Sequence, residues 1–178
     1  MTTINVPTRQ EVSSVNQAIF DNLERRFGVV PNLFATMAHS GSALASYMAL
    51  QSAKSTISGK AREVVNLVVS QVNECEYCLA AHTMVGKMSG FSDEQIIEIR
   101  RGRASFDSKL DALARLARGI AQSRGHVDPA VVEAFFAASW TKENLVDTIV
   151  AIGDKTITNY LHSTTQIPVD FPAAPALD

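Results

Sequence analysis

The run Glu63-Val-Val-Asn-Leu-Val-Val-Ser-Gln-Val-Asn-Glu-Cys75-Glu-Tyr-Cys78-Leu-Ala-Ala-His82 holds both cysteines of the chain behind a valine-rich segment. By propensity alone, Val64, Val65, Leu67, Val68, Val69 and Val72 make a buried strand. The length of the segment and the lack of a partner strand favour a helix. Apolar nearly all round, such a helix is buried on every side. In a chain of 178 residues that calls for burial against another subunit, and so for a homo-oligomer. Asn73, with Glu76 three residues on, predicts the cap of a further helix that runs to about Met88, with Gly90 beyond it.

On that helix Cys75 and Cys78 stand at i and i+3, and Cys78 and His82 at i and i+4, so all three share a face. Thiols so placed can approach closely enough for a disulfide. An imidazole one turn from Cys78 can take its proton, directly or through water. Glu63, on the preceding helix, can fold back to orient His82 or to accept that proton. Two effects compete over which cysteine is the nucleophile. The helix dipole favours a first-turn Cys75, whereas Cys78 lies beside the base. The nearby base tips the preference to Cys78.

Start and stop signals outside this run predict helices throughout. Thr8 with Glu11 forms a capping box for a helix reaching Phe27, with Gly28 past its end. Asn32 caps a short helix through Ala38, and Gly41-Ser42 breaks the chain before a helix to Ala53. Ser92 with Gln95 opens a helix ending near Gly102. Asp107 starts one through Gln122, and Asp128-Pro129 pairs a cap with a first-turn proline. Thr141 begins a last long helix to about His162, where Lys155, Asn159 and His162 share a face. That face is either simply polar or a pocket or subunit contact. The tail from Ile167, rich in proline, is extended. The expectation is an all-α single domain over residues 1–178, with about eight or nine helices.

Composition excludes several classes. Sixteen Lys plus Arg against eighteen Asp plus Glu give a net charge of -2. With a pI near 6.1, no nucleic-acid partner is expected. Arg100-Arg101-Gly102-Arg103 is too short and isolated to alter that and reads as a solvated helix end. Trp140 and the Phe135-Phe136 pair read as core or interface. No run of apolar residues is long enough for a membrane span. Met1-Thr-Thr-Ile-Asn5 has no leader pattern, so a cytoplasmic location is expected. There, two cysteines three positions apart are redox-active or metal-binding rather than a static staple. One Cys pair and one His make only three zinc ligands. A c-type haem needs His directly after the second Cys, where Leu79 stands, and a thioredoxin motif needs a βαβ context. The chain is therefore expected to use no metal and no cofactor.

The pattern Glu-x11-Cys-x-x-Cys-x3-His, as Glu63, Cys75, Cys78 and His82, resembles the signature of the alkyl hydroperoxidase D (AhpD) family in the carboxymuconolactone decarboxylase-like superfamily. Val29-Val-Pro-Asn-Leu-Phe34, Asn159-Tyr-Leu-His162 and Asp170-Phe-Pro172 resemble its longer, peroxidase-related branch. The specific core of the likeness spans residues 29–100. The resemblance implies an all-helical fold, assembled as trimers or hexamers, and an antioxidant peroxidase acting on organic or hydrogen peroxides. Cys78 would attack the peroxide oxygen and become a sulfenic acid, and Cys75 would close the disulfide. Glu63 and His82 would relay the proton that activates Cys78. An external dithiol, such as that of a lipoyl-bearing protein, would reduce the pair. Some members carry a second His between the cysteines, where this chain has Tyr77. Its phenol is a poor base near neutral pH but can donate a hydrogen bond or shape the pocket. Two alternatives stand beside this reading. One is acid–base lactone chemistry of the decarboxylase type, which has no need of paired cysteines. The other is a redox sensor or disulfide carrier that oxidises without cycling.

Overall fold

Val64, Val65, Leu67, Val68 and Val69 are fully buried in a helix, α4 (Gly59–Val72), of the computed structural model, which describes residues 4–177. The strand propensity of these residues is overridden by packing. The helices α5 (Glu76–Met88), α6 (Asp93–Arg100) and α7 (Ser108–Ser123) all lie against α4. Each apolar side chain so enclosed contributes about 1.5–3 kcal/mol. The premise that α4 requires a second subunit is therefore corrected, because helices of its own chain enclose it. Leu67→Ala is expected to cost about 2–5 kcal/mol, read as a lower denaturation midpoint with an unchanged slope.

The remaining helices are α1 (Ser14–Phe27), α2 (Asn32–Met37), α3 (Ala43–Ser52), α8 (Pro129–Ala137) and α9 (Lys142–Thr165). Among the described residues there are nine α-helices and no strand. None is long and apolar enough to cross a membrane. Met1–Thr3, part of the stretch in which no leader pattern was found, lie outside the described residues.

Two units divide the chain. The first comprises the described part of Met1–Lys54 with Leu161–Asp170. Its core gathers Val12, Phe20, Ala35, Met37, Leu44 and Tyr47. Here two caps differ from expectation. Both the amide and the hydroxyl of Thr8 donate to the Glu11 carboxylate, at 2.7 and 2.8 Å. They close only a 3-10 turn, Arg9–Glu11, because Val12 is extended. Helix α1 starts later, with Ser13 accepting from the Asn16 amide. Asn32 is not the cap of α2 but its first residue. Its amide donates to Asp170 at 2.7 Å and its side chain to the Pro168 carbonyl at 3.1 Å. A distant carboxylate therefore supplies the acceptor that local sequence assigns to Asn32.

The second unit comprises Ser55–Tyr160 with the described part of Phe171–Asp178. Its core surrounds α4, and at its margin Phe135 stacks on Trp140 with centroids 5.5 Å apart. Arg100 is not solvated. It is buried, donating to Gln71 at 2.9 Å and to the Pro175 carbonyl at 2.6 Å, while Arg101 and Arg103 are exposed.

Candidate active site

The turn from α4 into α5 sets the dithiol in place. Asn73 closes α4, and Glu74 adopts the left-handed conformation with φ 52°. The amide of Cys75 then reaches back to the Ser70 carbonyl at 3.0 Å, and that of Glu74 to Gln71 at 3.2 Å. This is a Schellman closure, and it satisfies two carbonyls that a helix end otherwise leaves open. The predicted cap is therefore wrong by two residues. Asn73 ends α4, and Cys75 itself is the N-cap of α5. Its sulfur does the task usually given to Ser or Asp, accepting the Cys78 amide at 3.3 Å. Cys78 is then the third residue of α5, inside the turn where the helix dipole favours an anion. The dipole that was weighed for Cys75 acts on Cys78 as well.

Both cysteines are free and buried. The Cys78 thiol is lowered to about 7. Its hydrogen bond with Cys75 is the main cause, and the charge of Lys155 and the Asn159 amide add to it, all against burial. The same hydrogen bond, together with burial, pushes Cys75 up. The pair is thus polarised, with Cys78 as thiolate and Cys75 as its thiol donor. Absorbance at 240 nm is expected to show one thiolate forming with a midpoint near 7, and a second only far above it. Two coincident transitions near the ordinary thiol value of about 8.5 would contradict that assignment.

Glu63 and His82 meet as anticipated. The imidazole Nδ1 donates to Glu63 Oε2 at 2.7 Å, and the Asn66 amide donates to Oε1 at 2.9 Å. Burial alone would raise the Glu63 pKa. The charge and hydrogen bond of His82, the Asn66 amide and Lys155 outweigh it and hold the carboxyl below its usual range. Burial and the Lys155 charge lower the His82 pKa, with Glu63 opposing them. His82 is therefore a neutral imidazole with its proton on Nδ1. Its Nε2 lone pair is not free, since Lys155 Nζ lies 2.7 Å away.

Residues 38–122 match the carboxymuconolactone decarboxylase family. An uncharacterised peroxidase-related protein with an alkylhydroperoxidase AhpD core, from Ralstonia eutropha JMP134, superposes with a TM-score of 0.84 at 18% identity. That match covers 95% of this chain and 92% of the other. The chain has the AhpD-like fold. A peroxidase-related protein from Silicibacter sp. TM1040 gives a TM-score of 0.81 at 21% identity, covering 97% and 91% of the two chains. A cysteine-to-alanine variant of the debrominase Bmp8, bound to 2,3,4-tribromopyrrole, gives 0.77 at 12% identity, covering 96% and 92%. No curated protein sequence matches significantly.

Three further residues were expected near the dithiol. Asn159 is there. Fully buried on α9, it accepts from Asn73 at 2.9 Å, donates to Ser70 Oγ at 3.3 Å and acts on both cysteines. Tyr77 is buried one residue before Cys78, with its ring edge-to-face on Phe171 at 5.4 Å. His162 belongs to the first unit, where it is buried and its Nε2 lies 3.2 Å from the Ile167 carbonyl. The periodicity of α9 had grouped it with Asn159, but the two fall in different units. Lys155 and Asn66 had not been assigned roles. Lys155 shares a helical face with Asn159, which is the signal that carries it to the site. Asn66, three residues after Glu63, sits where a helix places a hydrogen-bond partner.

Proposed function

We propose that the AhpD-like chain is a dithiol-dependent peroxidase that reduces organic or hydrogen peroxides. One observation carries the reading. A thiol lowered to about 7 stands beside a second free thiol whose pKa is raised, at the start of one helix, where the Cys78 amide donates to Cys75 Sγ at 3.3 Å. A low-pKa nucleophile next to a second thiol is the arrangement that forms a sulfenic acid and then a disulfide. The Cys78 thiolate attacks the terminal peroxide oxygen and becomes a sulfenic acid as the O–O bond breaks. The Cys75 thiol then attacks Cys78 sulfur, giving a disulfide and water. An external dithiol, of the lipoyl type, returns the pair to thiols by exchange. Glu63 and His82 form the hydrogen-bonded pair that positions Lys155 behind the dithiol.

The test is steady-state turnover of tert-butyl hydroperoxide by the reduced protein, with excess dihydrolipoamide. Many equivalents of peroxide consumed per chain are expected. A halt after one equivalent overturns the enzyme reading in favour of a sensor. Lactone turnover that survives in a Cys75→Ser, Cys78→Ser double variant, with no peroxide consumption by the parent, overturns it in favour of acid–base chemistry.

A further inference from the structure

We propose that Lys155, held in place by the Glu63–His82 pair, carries protons from the two thiols to the oxygens that leave during the reaction, a role that rests on the peroxidase reading above. Three observations on the second unit lead there. First, both nitrogens of His82 are engaged, Nδ1 by Glu63 and Nε2 by Lys155. His82 cannot take a proton from Cys78 unless Lys155 withdraws. Second, Lys155 is only 4% exposed, and its hydrogen-bond partner is a neutral imidazole rather than a carboxylate. Asp154, next along the chain, pairs with Arg62. A buried ammonium is costly unless an anion lies close. The Glu63 carboxylate, on the far side of His82, and the Cys78 thiolate both feel the Lys155 charge, which favours each anion. Third, Asn159, one helical turn beyond Lys155, is already engaged with both cysteines, so this face of α9 is directed at the dithiol.

An ammonium has three N–H donors and one is spent on His82. Another is available to the oxygen that leaves the peroxide. The Cys78 thiolate takes the terminal OH of ROOH, the O–O bond breaks, and the electron pair departs on RO⁻. Lys155 protonates RO⁻ to ROH and becomes an amine, which His82 and Glu63 hold in place. As Cys75 attacks the sulfenic acid, its thiol proton returns Lys155 to the ammonium. The hydroxide released takes that proton as water. After the external dithiol has reduced the disulfide, the Cys78 thiol gives its proton to the Lys155 amine. Two thiols and one peroxide have become a disulfide, an alcohol and water.

The experiment compares Lys155→Gln with the parent protein on two oxidants. The alkoxide leaving tert-butyl hydroperoxide needs a proton, whereas the acetate leaving peroxyacetic acid does not. Both proteins are assayed above the thiolate midpoint of the variant, so that the nucleophile is equally ionised. Lys155→Gln is expected to lose about 10²-fold or more with the hydroperoxide, the usual worth of a general acid, and far less with peroxyacetic acid. Lys155→Arg keeps the charge but does not release a proton at working pH. It is expected to hold the Cys78 midpoint near 7 without restoring hydroperoxide turnover. Equal losses on both oxidants, or none, would overturn the proton-carrying role. If the variants do not fold, the parent alone decides, by the dependence of its rate on leaving-group basicity across alkyl hydroperoxides. A shallow dependence supports protonation of the leaving oxygen, and a steep one overturns it. Failure of the parent to consume either oxidant overturns the peroxidase reading itself.

Discussion

Cys78→Ser is expected to reduce dithiol-dependent peroxide consumption to the background of free dihydrolipoamide. That is a loss of at least about 10³-fold, or roughly 4 kcal/mol of barrier. The substitution is nearly isosteric and leaves the N-cap bond from residue 78 to Cys75 in place, since the main-chain amide makes that bond. Stability should therefore change little while the only sulfur lowered to about 7 is gone. A serine hydroxyl is not ionised near neutral pH and forms no sulfenic acid. Cys75→Ser separates the two thiols further. It keeps the nucleophile, so one equivalent of peroxide is consumed and the sulfenic acid persists at Cys78. A sulfenate-specific probe labels that variant and not Cys78→Ser. The opposite labelling would exchange the roles of the two cysteines.

Glu63→Gln is expected to lower peroxide turnover by about 10²- to 10⁴-fold, the range in which positioned acid–base groups act. The carboxylate accepts from both His82 and Asn66, at 2.7 and 2.9 Å. A glutamine has one acceptor oxygen where the carboxylate has two, and its NH₂ confronts a donor. Because Glu63 is buried, the mismatch also destabilises, by about 1–3 kcal/mol for an unsatisfied group. Circular dichroism at the assay temperature separates this from the kinetic loss. A variant that is folded and turns over at the parent rate would remove Glu63 from the mechanism. Acid should act in the same direction as the substitution. The folded-state pKa of Glu63 lies below its unfolded value, so its contribution to stability is full above about 4.3, the unfolded carboxylate value, and is lost as pH falls through the folded one.

Much of the site is local, and local spacing reveals it. Cys75, Cys78 and His82 lie within eight positions, and Glu63 one helix back, so helical geometry and a short turn bring them together. What local spacing does not reveal is how the turn is closed. Asn73 and Glu76 look like a capping box, yet the left-handed Glu74 shifts the cap to Cys75. Which thiol the helix dipole favours depended on that shift. Lys155 is harder to find, because it stands 73 positions from His82. Periodicity puts it on a face with Asn159 but does not say what that face meets. The same limit explains His162, which shares the periodicity and falls in the other unit.

The fold follows a similar division. Gly28 and Asp128-Pro129 mark helix ends where residue type suggests, since a left-handed glycine and a first-turn proline are local devices. Where an end is closed by a distant group, as Asp170 does for Asn32, the nearest polar residue misleads. The valines of α4 show tertiary context at its strongest. β-branched residues disfavour a helix only weakly, and enclosure by α5, α6 and α7 outweighs that.

The central claim is that Cys75 and Cys78 form one redox unit driven by peroxide. Its most direct test is a thiol count on the reduced protein, before and after one equivalent of peroxide, without oxygen. Loss of two thiols per chain, faster than a free-thiol control and reversed by dihydrolipoamide, is the predicted result. Retention of both thiols would contradict the account.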